Sequence, residues 1–226
     1  MKFDFDKVVD RHGTKCLKYD FAKERGRSDD MLPLWVADMD FRTAPAVTDA
    51  IRKRAEHGIF GYTRVPDSYY EAVTNWFERR HGWKINPEWM IYTTGVVPAL
   101  SAVIRALTVP GDKVLVQTPV YTCFFSSIRN NGCVAETCPL KYENGRYALD
   151  AEELERKASD PAVKLMLLCN PHNPAGRVWT REELEEMAAI CRRNGVFVVA
   201  DEIHCELTYP GHPYTPFASL SEDALH

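Results

Sequence analysis

The sequence lacks several short signatures that would point directly to a chemistry. Its seven cysteines (Cys16, Cys123, Cys133, Cys138, Cys169, Cys191 and Cys205) form no C-x-x-C pair, which argues against a paired-thiol redox motif and a standard zinc site. No G-x-G-x-x-G follows any strand-like run, so the fingerprint of nicotinamide dehydrogenases is missing. No apolar run approaches membrane-spanning length, and the opening Met1-Lys2-Phe3-Asp4-Phe5-Asp6 alternates acids where a signal peptide needs an apolar stretch. There is no basic face either: 28 Lys and Arg stand against 32 Asp and Glu, a net charge of −4 spread along the chain. Neither a nucleic acid nor a membrane is therefore expected as a partner. Internal repeats, low-complexity tracts and Gly/Ser linkers are also missing.

What is present is a chain of 226 residues, 45% hydrophobic and 27% charged, long enough to bury a sizeable core. Several cysteines sit in apolar runs such as Leu167-Leu168-Cys169, the pattern of reduced, buried thiols, so a cytoplasmic protein is expected. From Glu88 onward, short β-rich runs alternate with helical periods. Strands are predicted at Trp89–Thr93, Lys113–Gln117, Cys133–Glu136, Val163–Cys169 and Val196–Ala200, and helices at 98–107, 121–130 and 150–159. Thr180-Arg181-Glu182-Glu183 is a capping box opening a further helix to Arg193, which Asn194-Gly195 stops. Earlier helices are predicted over 46–57 and 67–81.

This rhythm predicts an α/β fold with a mainly parallel sheet covered by helices. An N-terminal arm, 1–44, belongs to a small domain, and 45–226 forms a ligand-binding large domain. Open sheets of this kind gather ligand contacts at the carboxyl ends of their strands, and four features fall there. Thr94-Gly95-Val96-Val97 joins a strand to a helix, where glycine lets a phosphate approach free N–H groups, although the same residues also suit an ordinary turn. Tyr121 follows Gln117-Thr118-Pro119 and offers a ring for stacking or for core packing. Asn170-Pro171-His172-Asn173-Pro174-Ala175-Gly176 makes a rigid turn that aims an amide outward. Asp201-Glu202-Ile203-His204 supplies an acid that serves either as a helix cap or as the partner of a heterocyclic nitrogen. His172, His204, Cys205 and His212 fit no standard metal-ligand spacing, and no metal is expected.

Asn-Pro-His-Asn-Pro-Ala-Gly followed by an apolar strand ending in Asp resembles the fold-type I, class I and II aminotransferases, which depend on pyridoxal 5'-phosphate (PLP). The resemblance covers nearly the whole chain. Within that superfamily Leu34–Phe41, Phe60-Gly61-Tyr62-Thr63 and Asp201-Glu202-Ile203-His204 are similar to the cystathionine β-lyase branch of the MalY/PatB type. The resemblance implies that Asn173 bonds the cofactor's phenolic oxygen, Asp201 its pyridine nitrogen, and Gly95, Val96 and Val97 its phosphate. It implies that Tyr121 stacks on the ring and that His204 stands where relatives often carry a tyrosine touching the phenolic oxygen. A homodimer is implied, with Tyr62 reaching the neighbouring subunit's phosphate, and Val36, Ala37 and Asp38 lining the substrate pocket.

The family's catalytic lysine should lie a few dozen residues past Asp201, yet the last lysine here is Lys164. No catalytic residue is therefore expected within this chain, and the lysine is expected beyond His226, in an incomplete PLP-dependent transferase-like domain. The activity implied is a carbon–sulfur β-lyase acting on L-cysteine S-conjugates to give a thiol, pyruvate and ammonia. The alternatives are an aminotransferase and a catalytically inactive binding or regulatory protein.

Overall fold

The structure is a computed structural model and describes residues 3–28 and 30–222. Contacts divide the chain into two units, Met1–Arg64 and Val65–His226. The first takes in the arm expected over 1–44 together with helix α1 (Pro45–His57), which has proline at its start and Gly58 in a left-handed stop. No strand occurs among its described residues. Its order comes from side chains: Arg11 forks onto Asp40 at 2.5 Å and onto Asp38, and buried Lys18 reaches the Asp38 carbonyl and the Asp40 carboxylate, both at 2.9 Å.

The second unit opens with α2 (Asp67–His81) and then runs α3 (Val96–Leu107), β1 (Lys113–Thr118), α4 (Thr122–Asn130), β2 (Val134–Pro139), β3 (Lys141–Glu143), β4 (Arg146–Ala148), α5 (Ala151–Ala158), β5 (Val163–Cys169), α6 (Arg181–Arg193) and β6 (Phe197–Asp201). β1, β2, β5 and β6 form a parallel sheet in the order β2-β1-β5-β6. The period-2 alternation of strand side chains builds a core on each face. Val114, Val116, Leu165 and Leu167 pack with Leu100 and Ile104 of α3 and with Phe124 and Ile128 of α4. Leu115, Met166 and Leu168 pack with Leu154 of α5 and with Leu184, Met187 and Ile190 of α6. Helices on both faces explain why β5 reads as one apolar run.

The chain leaves β1 in one direction, toward β2, and leaves β5 in the other, toward β6. The order therefore reverses between β1 and β5, and an open sheet places its ligand crevice at such a reversal. The loops at the carboxyl ends of these two strands begin at Pro119 and Asn170.

Two local expectations are corrected. Trp89–Thr93 is not a strand: a short 3-10 helix, Pro87–Trp89, is followed by extended chain with Ile91 88% exposed. Its β-rich residues find no ladder partner among the described residues, and a strand exists only by pairing. Conversely, β3 and β4 form an antiparallel hairpin across Asn144 (φ 52°) and Gly145 (φ 77°), an element absent from the expected set. The Asn-Gly dipeptide was the available signal, since both turn positions need positive φ. No helix among the described residues is long and apolar enough to cross a membrane.

Candidate active site

Asp201 ends β6 in register with Cys169, and the Asn170 N–H donates to the Asp201 carbonyl at 2.9 Å. The acid and the turn after β5 thus start at one level of the sheet. The Asp201 residue is 6% exposed, and the Ile203 N–H donates to its Oδ1 at 3.2 Å. Burial pushes its carboxyl pKa up, while the Ile203 N–H and the nearby His204 pull it back. A carboxylate held this way gains from a cationic partner, which offsets the cost of keeping it out of water.

The turn at 170–176 is fixed by bonds that leave Asn173 half-buried. The His172 N–H donates to the Arg177 carbonyl at 2.8 Å, the Gly176 N–H donates to the His172 carbonyl at 2.9 Å, and the Asn173 N–H reaches Cys169 Sγ at 3.3 Å. His172 itself is buried; its Nε2 lies 2.8 Å from the Pro119 carbonyl and its ring meets Trp179 edge-on at 5.6 Å. Burial pulls its pKa down, so the neutral ring donates from Nε2. His172 is thus a strut between the two loops that flank the crevice.

Gly95 precedes α3 with φ 156° and ψ 167°, a conformation that side chains other than glycine's avoid. No side chain caps α3, which leaves the N–H groups of Val96 and Val97 able to hold an anion. Tyr121 stands at the start of α4, 37% exposed, with its ring edge-on to Phe124 at 6.3 Å. Its hydroxyl pKa is raised by a hydrogen bond with Cys123, by burial and by the negative charge of Asp201, which shares its electrostatic surroundings.

Asn173 and His204 line one depression of about 820 Å³, together with Arg146, Arg177, Tyr209 and His212. Gly95, Val96, Val97, Tyr121 and Asp201 do not line it. A second depression, about 490 Å³, is bounded by α6 and the amino end of β6, away from the Asp201 end. In the first unit, Tyr62 is fully exposed, Val36 is half-buried, and Ala37 and Asp38 are exposed. Among the described residues, His81, Cys205 and Glu206 place ligand-type atoms within 4.8 Å of one another. Glu206 there already accepts from Trp76, Arg80 and His81.

Sequence reasoning missed several residues that hold the site. Arg177 donates to the Tyr147 carbonyl at 2.6 Å, pairs with Glu183 of the capping box, and lies 4.1 Å over the Trp179 ring. Arg11 and Lys18 fix the segment carrying Asp38. Glu202 is half-buried beside Asp201 and stands in the sequence only as part of a motif. In each case at least one partner is remote in sequence, Tyr147 for Arg177, so no local pattern marked the role.

On this doubly wound sheet a buried acid ends β6 beside an amide-bearing turn, and α3 begins without a side-chain cap. Residues 29–225 match the model of the aminotransferase class I and II family, and the chain belongs to that family. It is 50% identical to the cystathionine β-lyase PatB of Bacillus subtilis over 97% of this chain and 57% of that protein. Among solved structures it is similar to a PLP-bound putative aminotransferase from Clostridium difficile 630 (TM-score 0.94, 44% identity, 99% of this chain and 58% of that one). It is likewise similar to cystalysin from Treponema denticola, which contains pyridoxal 5'-phosphate (TM-score 0.93, 36% identity, 99% and 57%). The chain thus spans just over half the length of the relatives it matches.

Proposed function

We propose that this chain supplies the cofactor cradle of a PLP-dependent carbon–sulfur β-lyase, which cleaves L-cysteine S-conjugates such as cystathionine to a thiol, pyruvate and ammonia. The observation that carries the reading is Asp201: a buried carboxyl with a raised pKa, accepting one backbone bond at the end of β6, beside the Asn170–Asn173 turn. Bound there, PLP supplies an electron sink for the pair left on the substrate's α-carbon when its proton is removed.

The residues fit the group by their chemistry. Asp201, held away from water, keeps the pyridine nitrogen protonated and is itself stabilised by that cation. The Asn173 amide and His204 are the hydrogen-bonding groups for the phenolic oxygen. Gly95, Val96 and Val97 bind the phosphate with backbone N–H groups at the start of α3, and Tyr121 stacks on the ring. Val36, Ala37 and Asp38 line the substrate pocket. In a homodimer Tyr62 reaches the phosphate of the neighbouring subunit, an assignment supported by its complete exposure here. Free thiols at all seven cysteines fit a cytoplasmic setting.

Aminotransferase activity is the second reading, favoured by the 44% identity to a protein described as a putative aminotransferase. Proton removal is common to both activities, and they differ in where the proton returns and whether a thiolate leaves. A full-length protein of the relatives' extent should release thiol and pyruvate from cystathionine without any 2-oxo acid. Turnover that requires the 2-oxo acid would replace the lyase reading with transamination.

A further inference from the structure

Two acids on either side of His204 anchor the segment that carries it. Glu202 is half-buried, and its carboxylate accepts from Asn170 Nδ2 at 2.9 Å, from the Phe217 N–H at 2.8 Å and from the Tyr214 hydroxyl. Asn170 opens the turn that bears Asn173 and is also bonded, backbone to backbone, to Asp201. Four residues on, Glu206 accepts from the Trp76 indole at 2.5 Å, from His81 Nε2 at 2.7 Å and from Arg80 at 3.3 Å, all on α2. The His81 ring meets Tyr214 edge-on at 4.9 Å, so the two anchors share a neighbour. Between them the Cys205 N–H donates to the Glu202 carbonyl at 3.0 Å and the Leu207 N–H to the His204 carbonyl at 2.8 Å.

Taking a carboxylate even partly out of water is costly, and an apolar side chain of similar size would pack as well or better. What a carboxylate adds is direction: it fixes three donors at set angles around one point. At Glu202 one donor comes from the turn after β5 and two from the stretch 214–217, and the carboxylate ties both to the chain after β6. We propose that Glu202 and Glu206 are positioning residues that set Asn173 and His204 against Asp201, an inference that rests on reading this site as the PLP cradle.

The test uses full-length holoprotein, with PLP affinity measured by titrating the cofactor-free form, the position of the cofactor absorbance band, and kcat and KM measured separately. Glu202→Ala should weaken PLP binding by about tenfold or more and move the band, as losses of supporting hydrogen bonds around a bound group do. Glu202→Gln, whose Oε1 still accepts from Asn170 and Phe217, should return affinity to within about threefold of the parent. Glu206→Ala should lower kcat with little change in KM. A Glu202→Ala protein with unchanged affinity and band position overturns the inference, even if it melts earlier. Should that variant fail to fold, Tyr214→Phe removes one donor of the three, and an unchanged cofactor spectrum and affinity there overturns it equally. Asp201→Ala separates the two levels. If it too leaves the cofactor undisturbed, the cradle reading itself is wrong; if it alone disturbs the cofactor, only the positioning role is lost.

Discussion

In the form without cofactor, burial holds the Asp201 carboxyl pKa above its ordinary value, so the folded protein binds that proton more tightly than the unfolded chain. Stability from this group is therefore highest below the ordinary carboxylate range and falls as pH rises through the folded pKa. Ionising this buried acid in the folded state is therefore a net cost, which a cationic partner would offset. Asp201→Asn should consequently stabilise the cofactor-free full-length protein at neutral pH, by about 1 kcal/mol or about 2–4 °C in Tm. The gain should shrink toward about pH 4, where the wild-type acid is itself protonated, while the same variant should lose PLP-dependent turnover by orders of magnitude. Melting curves of the two cofactor-free proteins across that pH range check the sign, and an amide variant that melts earlier at neutral pH would contradict it. Asp201 was legible as a candidate because it ends an apolar strand in a parallel sheet. Glu202, one residue later, was not: its meaning lies in Asn170, Tyr214 and Phe217, which only the fold brings together.

At the scale of elements, α6 illustrates how local chemistry and tertiary structure combine. Thr180 accepts from the Glu183 N–H at 3.2 Å, and Glu183 reaches back to the Thr180 N–H at 2.9 Å. The same Glu183 also pairs with Arg177, tying the helix start to the turn that carries Asn173. Thr180→Ala should cost about 1 kcal/mol, whereas Glu183→Ala should cost more because it also strands Arg177. Urea midpoints at unchanged m-value measure both, and equal losses would mean that the Arg177 pair contributes nothing. The capping box was visible in four consecutive letters, and β5 in the apolar run Leu165–Cys169, because burial on both faces leaves no room for alternation there. Trp89–Thr93 misled for the complementary reason: strand propensity reports fitness for a pleated, half-buried surface, and that surface has to be supplied by a partner. The β3–β4 hairpin was passed over because three-residue strands of Lys, Tyr, Glu, Arg and Ala carry almost no hydrophobic period, although Asn144-Gly145 marked the turn.

For the whole molecule, the proposed homodimer makes a claim about connectivity that two inactive variants can test together. If Tyr62 serves the neighbouring subunit's phosphate while Asp201 serves its own site, the two residues of one protomer belong to different active sites. Tyr62→Ala and Asp201→Ala homodimers would each be impaired. In a heterodimer of the two, one site collects both substitutions and the other collects neither. Random reassortment of equal amounts makes half the dimers mixed, each with one intact site of two, so about a quarter of wild-type activity should return. If Tyr62 instead acts within its own protomer, every site in the mixture carries one lesion and no activity returns. Unfolding and refolding the mixture alongside each variant alone, in the presence of PLP, provides the control for refolding yield. Recovery confined to the mixture would assign Tyr62 to the partner's site, and its absence, with the wild type refolding normally, would return Tyr62 to its own.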